Sequence, residues 1–386
     1  MSLSKHHSIV IGDFYLKKVI VSVINDLATD QRVHKACLSL EKSGFKVLLV
    51  GRVLKNSPQM PSLTYNYHRM RLIFTKGPLF YAEYNIRLFL FLLFRKADLL
   101  LSNDLDTLLA NYLISKIKGV KVLFDSHEYF TETPELTNRK TVQKIWKTIE
   151  KWIVPKLSEM ITVNESIADL FRNEYHIKVH VIRNIPMRYK QNSTFTKAEA
   201  NLPADKKILI LQGAGINVQR GAEELVEAMT YLSDCFLLVI GGGDVLEQLK
   251  KIVHKHHLEN NTRFLPRMPY QQMMNFTRLA DIGITLDKDT NLNYRFSLPN
   301  KLFDYIHVNV PVLASPLPEI KKIIDTYQTG SFIVNHKPET IARSIRAMVD
   351  DKVMMEQWKS NCKLASETLC WEQEEKLLLN IYAGYC

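Results

Sequence analysis

Twice along this chain the same cycle recurs: a short run of Val, Ile and Leu, a longer stretch with helical periodicity, then another apolar run. Strands buried on both faces read as near-continuous apolar runs, so the cycle prescribes parallel sheet covered by helices on either side. Residues 19–23, 46–50, 98–101, 120–124, 160–163 and 179–182 read as strands of the first half. After Pro186 a polar stretch, 190–205, lacks any apolar period and reads as a linker. The pattern then restarts, with predicted strands at 207–211, 236–240, 262–265, 281–286, 311–314 and 331–334.

The expected fold is therefore α/β, with two Rossmann-like, doubly wound parallel-sheet domains facing each other across a cleft. Residues 1–190 form the first and 191–370 the second, and the terminal helix, 371–386, packs back on the first. A length of 386 residues agrees, since it exceeds what one hydrophobic core usually supports. The clearest single helix begins near Asp30, puts Val33, Ala36, Cys37 and Leu40 on one face, and stops at Gly44.

The five cysteines, Cys37, Cys235, Cys362, Cys370 and Cys386, form no close pair, which fits a reducing cytoplasm. Met1 to Asp13 lacks an apolar core of signal-peptide length. The most apolar run, Ile86 to Phe94, is far shorter than the roughly 20 residues that span a bilayer. It is expected to be a buried helix; the competing reading is a face that docks on a membrane. A formal charge of +11 calls for an anionic partner: a small molecule, a membrane surface or nucleic acid. No nucleic-acid-binding motif is present, so nucleic acid is set aside.

Ligands of open α/β sheets bind beyond the carboxyl ends of the strands, so the chemistry is sought in strand-to-helix turns. The first candidate runs from Gln212 through Gly213, Ala214 and Gly215 to Arg220 and Gly221. Glycines allow close backbone approach, a helix start offers unpaired amides, and Arg220 adds a cation: together, a diphosphate site. The second is Ser297-Leu298-Pro299-Asn300-Lys301-Leu302-Phe303-Asp304. Pro299 opens a helix, Lys301 stands beside its amides, and Asp304 falls on the same face, suited to a ribose diol. The plain alternatives are a packing turn with a solvated arginine and an ordinary surface ion pair. Gly241-Gly242-Gly243 closes a further strand and lines the nucleotide side or is simply a turn. Asp287 and Asp289 have the spacing of a DxD metal motif but read as a loop at the cleft edge.

In combination these residues resemble the donor half of retaining GT-B glycosyltransferases, in particular the large family 4 group. Asn25 to Val33 after the first strand, and Asp125-Ser126-His127-Glu128 after a later one, are similar to that group's acceptor loop and histidine. The resemblance spans nearly the whole chain. It departs at Gly215, where the group usually has arginine, and at Phe296, where the first glutamate of an E-x7-E pair belongs; Asp304 stands for the second.

The resemblance implies a hexosyl- or related transferase acting on a nucleotide-diphosphate sugar, UDP- or GDP-linked, with retention of configuration and with no cofactor or metal. It assigns catalysis to His127, Arg220 and Lys301. Gly213, Gly215, Arg220, Pro299, Asn300, Lys301 and Asp304 would bind the donor. Asn25, Asp26 and Arg32 would bind a glycan or polyprenyl-diphosphate-linked acceptor, although Asp30 and Arg32 also suit helix capping. The basic balance adds an expected cytoplasmic location, peripheral on the inner leaflet, in polysaccharide or glycolipid biosynthesis. Two other classes stay open. A nucleotide-sugar epimerase or hydrolase would consume donor without acceptor, and a non-catalytic subunit would bind nucleotide and transfer nothing.

Overall fold

The computed structural model of the protein describes residues 16–28, 30–189 and 194–385. The stretch read for a signal sequence, Thr29 of the acceptor loop, residues 190–193 of the expected linker, and Cys386 lie outside the described residues.

Thirteen strands among the described residues form two sheets. The first contains β1 (Lys18–Asp26), β2 (Lys46–Arg52), β3 (Asn66–Met70), β4 (Leu99–Asn103), β5 (Lys121–Ser126), β6 (Glu159–Thr162) and β7 (Lys178–Val181), in the order β3-β2-β1-β4-β5-β6-β7. The second contains β8 (Lys207–Gly213), β9 (Cys235–Gly241), β10 (Thr262–Leu265), β11 (Ile282–Thr285), β12 (Val312–Ala314) and β13 (Gly330–Phe332), in the order β10-β9-β8-β11-β12-β13. The pairings run parallel, as between Ile282 and Leu209 or Leu237 and Thr262. Each order reverses once, between β1 and β4 and between β8 and β11. These reversals are the switch points at which such sheets open toward a ligand.

Period-2 geometry explains why the runs had to be continuously apolar. On β8, Leu209 and Leu211 join one core cluster, while Ile208 and Ile210 join the other. A polar residue at any of these positions would be buried in a helix-covered face. By its contacts the chain divides into two compact units, residues 1–125 with 378–386, and residues 126–377. In unit 1, Lys17 donates to the Tyr385 carbonyl at 2.9 Å. In unit 2, Glu374 binds the Arg183 guanidinium at 2.6 Å.

Three features differ from the sequence reading. Strand β3 was not expected; it lies at a sheet edge with Asn66, Tyr67 and His68 exposed, so it carries no apolar run. The helix Lys352–Thr368 was also missed, because only Met355, Cys362 and Ala365 of its residues are buried. The helix Pro78–Leu93, expected to be buried over Ile86 to Phe94, buries only one face, with Phe80, Tyr84, Leu88 and Leu92 inside. Its other side exposes Leu79 and Leu90, Ile86 at 61% and, just beyond the helix, Phe94 at 81%. The run is apolar all round because both faces are apolar, not because both are covered.

Candidate functional site

Arg220 and Lys301 meet at one buried carboxylate, although 80 residues of sequence separate their loops. Arg220 Nη1 lies 3.0 Å from Asp287 Oδ2, and Lys301 Nζ lies 3.9 Å from Asp287 Oδ1. The Asp287 side chain has 0% exposure and that of Lys301 10%. Among the described residues, Asp287 Oδ1 and Arg220 Nε have no hydrogen-bond partner.

The fold dictates this meeting. Strands β8 and β11 are neighbours across the switch point, so the loops that leave their carboxyl ends lie side by side. Lys288 N donates to the Gln219 carbonyl at 3.0 Å, and Thr290 Oγ1 donates to Gln219 Oε1 at 2.6 Å. Gly221 is required here: its φ is +70°, and a Cβ would lie 2.4 Å from the Leu286 carbonyl oxygen. Lys301 arrives on the helix Asn300–His307, whose cap residue, Pro299, offers its amides no side-chain partner.

Burial disfavours the Arg220 charge, but Asp287, Tyr294 and Glu128 outweigh it and raise its pKa. The Tyr294 ring also faces the guanidinium, 4.7 Å from centroid to Cζ. Lys301 responds the other way: burial pulls its pKa below the ordinary lysine value, Arg220 adds to the fall, and Asp287 opposes it.

The His127 turn belongs to the same unit. The short helix Leu292–Arg295 carries Tyr294 against Arg220, and its Asn293 accepts from Tyr129 N at 3.1 Å and donates to Glu128 Oε2 at 3.1 Å. His127, half-buried, is thus set in a turn tethered to the element that packs on Arg220. The glycine turn of β8 is laced to the next strand's turn: Ile216 N donates to the Gly242 carbonyl and Gly242 N to that of Gly213. Arg267 also donates to the Ala214 carbonyl across this turn.

Other residues read from the sequence have partners of their own. Asp304, expected at a ribose, is buried and accepts from Gln212 Nε2 at 3.0 Å and from the Tyr270 hydroxyl at 2.8 Å. Arg32, expected at an acceptor phosphate, is turned inward to Asp125 at 2.7 Å, with both side chains 6% exposed. Asp26 accepts from Arg69 at 2.9 Å and also from Ser57. Asn25 stays exposed and donates to Asp30, whose other carboxylate oxygen caps the helix Gln31–Lys42 through Val33 N. Asp287 and Asp289, which share a DxD spacing, face different cations, the latter Arg295 at 3.4 Å. Among the described residues no cluster of His, Cys, Asp and Glu has a metal-holding arrangement. The sequence reading missed Tyr294, Asn293, Tyr270 and the central place of Asp287, which the sequence marks only as one half of a DxD spacing.

Two parallel-sheet α/β domains of this topology match the GT-B architecture of glycosyltransferase structures. Residues 30–185 match the model of Glycosyltransferase Family 4, and residues 193–364 match that of Glycosyl transferases group 1. With both halves matched in order, the chain belongs to the family 4 type of GT-B glycosyltransferases. Its fold is similar to that of sucrose-phosphate synthase from Thermosynechococcus elongatus (TM-score 0.78, 15% identity, 95% of this chain and 98% of that one). It is also similar to a glycosyltransferase from Rickettsia africae (0.73, 14%, 96% and 99%) and to HepE from Anabaena in complex with UDP-glucose (0.72, 12%, 95% and 100%). No curated protein matches the sequence.

Proposed function

We propose that the protein moves a sugar from a UDP- or GDP-sugar to a glycan or polyprenyl-diphosphate-linked acceptor, with retention of configuration, in polysaccharide or glycolipid biosynthesis. The observation that carries this reading is the convergence of Arg220 and Lys301 at the switch point of the second sheet. HepE, which shares the fold, is known in complexes with UDP-glucose and with UDP, and this supports a nucleotide-sugar donor.

Breaking the anomeric C–O bond leaves its electron pair on the departing diphosphate. Fixed cations aimed at that charge stabilise the transition state more than the ground state. Arg220 and Lys301 fill this role, with the uncapped amides of Asn300 and Lys301 beside them and the Gly213–Gly215 turn giving the backbone close approach. No step calls on a bound metal. The acceptor oxygen forms the new bond to the anomeric carbon as its proton passes to an oxygen of the leaving diphosphate, and His127 hydrogen-bonds the sugar near that event. Asp304, held by Gln212 and Tyr270, shapes the nucleotide side through those partners. On this reading residues 191–370 bind donor. Residues 1–190 bind acceptor, with exposed Asn25 in contact and Asp26 and Arg32 supporting its loop.

The test is turnover of Lys301→Ala and Arg220→Ala with the donor found by a thermal-shift screen of UDP, GDP, dTDP and CMP sugars. Each should lose more than tenfold, as expected when one charge-stabilising donor is removed; rates near wild type refute the assignment. We also place the enzyme at the inner leaflet. Among the described residues no helix is long and apolar enough to cross a membrane. The exposed Leu79, Ile86, Leu90 and Phe94 are accompanied by exposed Lys76, Arg87, Arg95 and Lys96, a combination complementary to anionic lipid. Co-sedimentation with phosphatidylglycerol vesicles at low salt should be lost in Ile86→Ser/Phe94→Ser; no binding by wild type discards the placement.

A further inference from the structure

Asp287 remains unexplained by the cations it joins. A carboxylate with 0% exposure and one oxygen lacking any hydrogen-bond partner is costly to bury, and its only compensation of opposite charge within ion-pair distance, among the described residues, is Arg220 and Lys301. At 3.9 Å Lys301 is held by charge alone, beyond hydrogen-bond reach. The backbone just after Asp287 is anchored twice: Lys288 N bonds the Gln219 carbonyl, and the Lys288 side chain pairs with Glu224.

We propose that Asp287 is the positioning residue of the donor site, setting Arg220 and Lys301 side by side and keeping the Lys301 ammonium charged for the diphosphate. This rests on the donor-site reading above. Two cations brought together in a buried pocket repel each other. A fixed carboxylate behind them offsets that repulsion, while the ammonium, too far from Asp287 for a hydrogen bond, keeps its donors for a phosphate. Arg220 is held from a second side by the Tyr294 ring, so without Asp287 it keeps one support. Lys301 keeps none. Burial and Arg220 disfavour the charged form of Lys301 and pull its pKa down, and the Asp287 carboxylate 3.9 Å away opposes them.

The role also separates Asp287 from a metal-binding reading of the DxD spacing. Its oxygens face cations, and Asp289 pairs with Arg295.

The experiment measures UDP and GDP affinity by calorimetry on the full chain between pH 6.5 and 10, with circular dichroism confirming the fold of each variant. Asp287→Asn should weaken the better-bound nucleotide more than tenfold, and its affinity should fall at lower pH than in wild type. Adding Lys301→Arg to Asp287→Asn should flatten that pH dependence, because a guanidinium stays protonated. A merely structural role for Asp287 would lower affinity without moving the pH profile or responding to the arginine. If Lys301→Ala binds nucleotide as well as wild type, the donor-site reading fails. If Lys301→Ala loses binding while Asp287→Asn keeps wild-type affinity and profile, the positioning role alone is overturned. Should Asp287→Asn misfold, Asp287→Glu, which retains the charge at a shifted position, should weaken binding without moving the profile; a moved profile counts against the role.

Discussion

Buried ion pairs gather near the carboxyl ends of strands in both sheets, and they are built differently. In unit 1 the pairs are close guanidinium contacts: Arg32 with Asp125 at 2.7 Å, and Arg69 with Asp26 at 2.9 Å. In unit 2 two cations, Arg220 and Lys301, share the single carboxylate of Asp287. A close guanidinium–carboxylate pair offsets part of the cost of burying both charges and serves the fold. At Asp287 the second cation, Lys301, is buried yet held by charge alone, and the contrast teaches that a loosely paired buried lysine, rather than burial itself, distinguishes the proposed donor site.

The sharpest way to break this comparison is to remove one cation from each cluster. Arg32→Ala removes the cation 2.7 Å from the buried Asp125 carboxylate and should cost about 3–5 kcal/mol of stability, read from denaturant unfolding. Lys301→Met removes a cation that burial already disfavours, so stability should hold or rise by up to about 2 kcal/mol, while turnover collapses. Equal destabilisation by the two would mean that the clusters do the same work.

A smaller effect comes from a buried carboxylate without a close cation. Glu150 is 2% exposed, accepts from the Tyr175 hydroxyl at 2.6 Å, and is pushed up by burial to a pKa of about 7. The folded protein therefore binds its proton more tightly than the unfolded chain does, and the associated stability is present below pH 4.5 and lost as pH rises through about 7. Glu150→Gln should be more stable than wild type at pH 8 by about 1–3 kcal/mol, with the gain vanishing below pH 4.5. A pH-independent difference would show that Glu150 is paired like its counterparts. The smallest effect is expected at Gly215, where a Cβ would meet only the Asn217 side chain, at 3.5 Å. Gly215→Ala should change stability by less than about 1 kcal/mol, in contrast with Gly221→Ala, whose Cβ would strike the Leu286 carbonyl.

Most strands could be read from the sequence because a helix-covered parallel strand must be apolar on both faces. The exceptions were governed by exposure: β3 and the helix Lys352–Thr368 bury too little to leave a pattern. Arg220 and Lys301 were legible through the glycine turn and the Pro299-Asn300-Lys301 helix start, whose local chemistry is written in adjacent residues. Asp287 was legible only as one half of a DxD spacing, since its partner Arg220 is 67 positions away in sequence. Asp304 and Arg32 looked available because spacing shows which residues share a face and not what lies opposite.

The sequence by itself determined two doubly wound sheets, the turns that carry the cations, and the family to which they belong, because each is set by local periodicity and by residues a few positions apart. Tertiary structure alone decided that β8 and β11 are neighbours. That adjacency places Arg220, Asp287 and Lys301 together, while in the first sheet the reversal at β1 and β4 brings Arg32 inward to Asp125. The reason is physical: Coulomb attraction and desolvation act on distances of a few ångströms through space, whereas sequence order constrains only the nearest turns of chain.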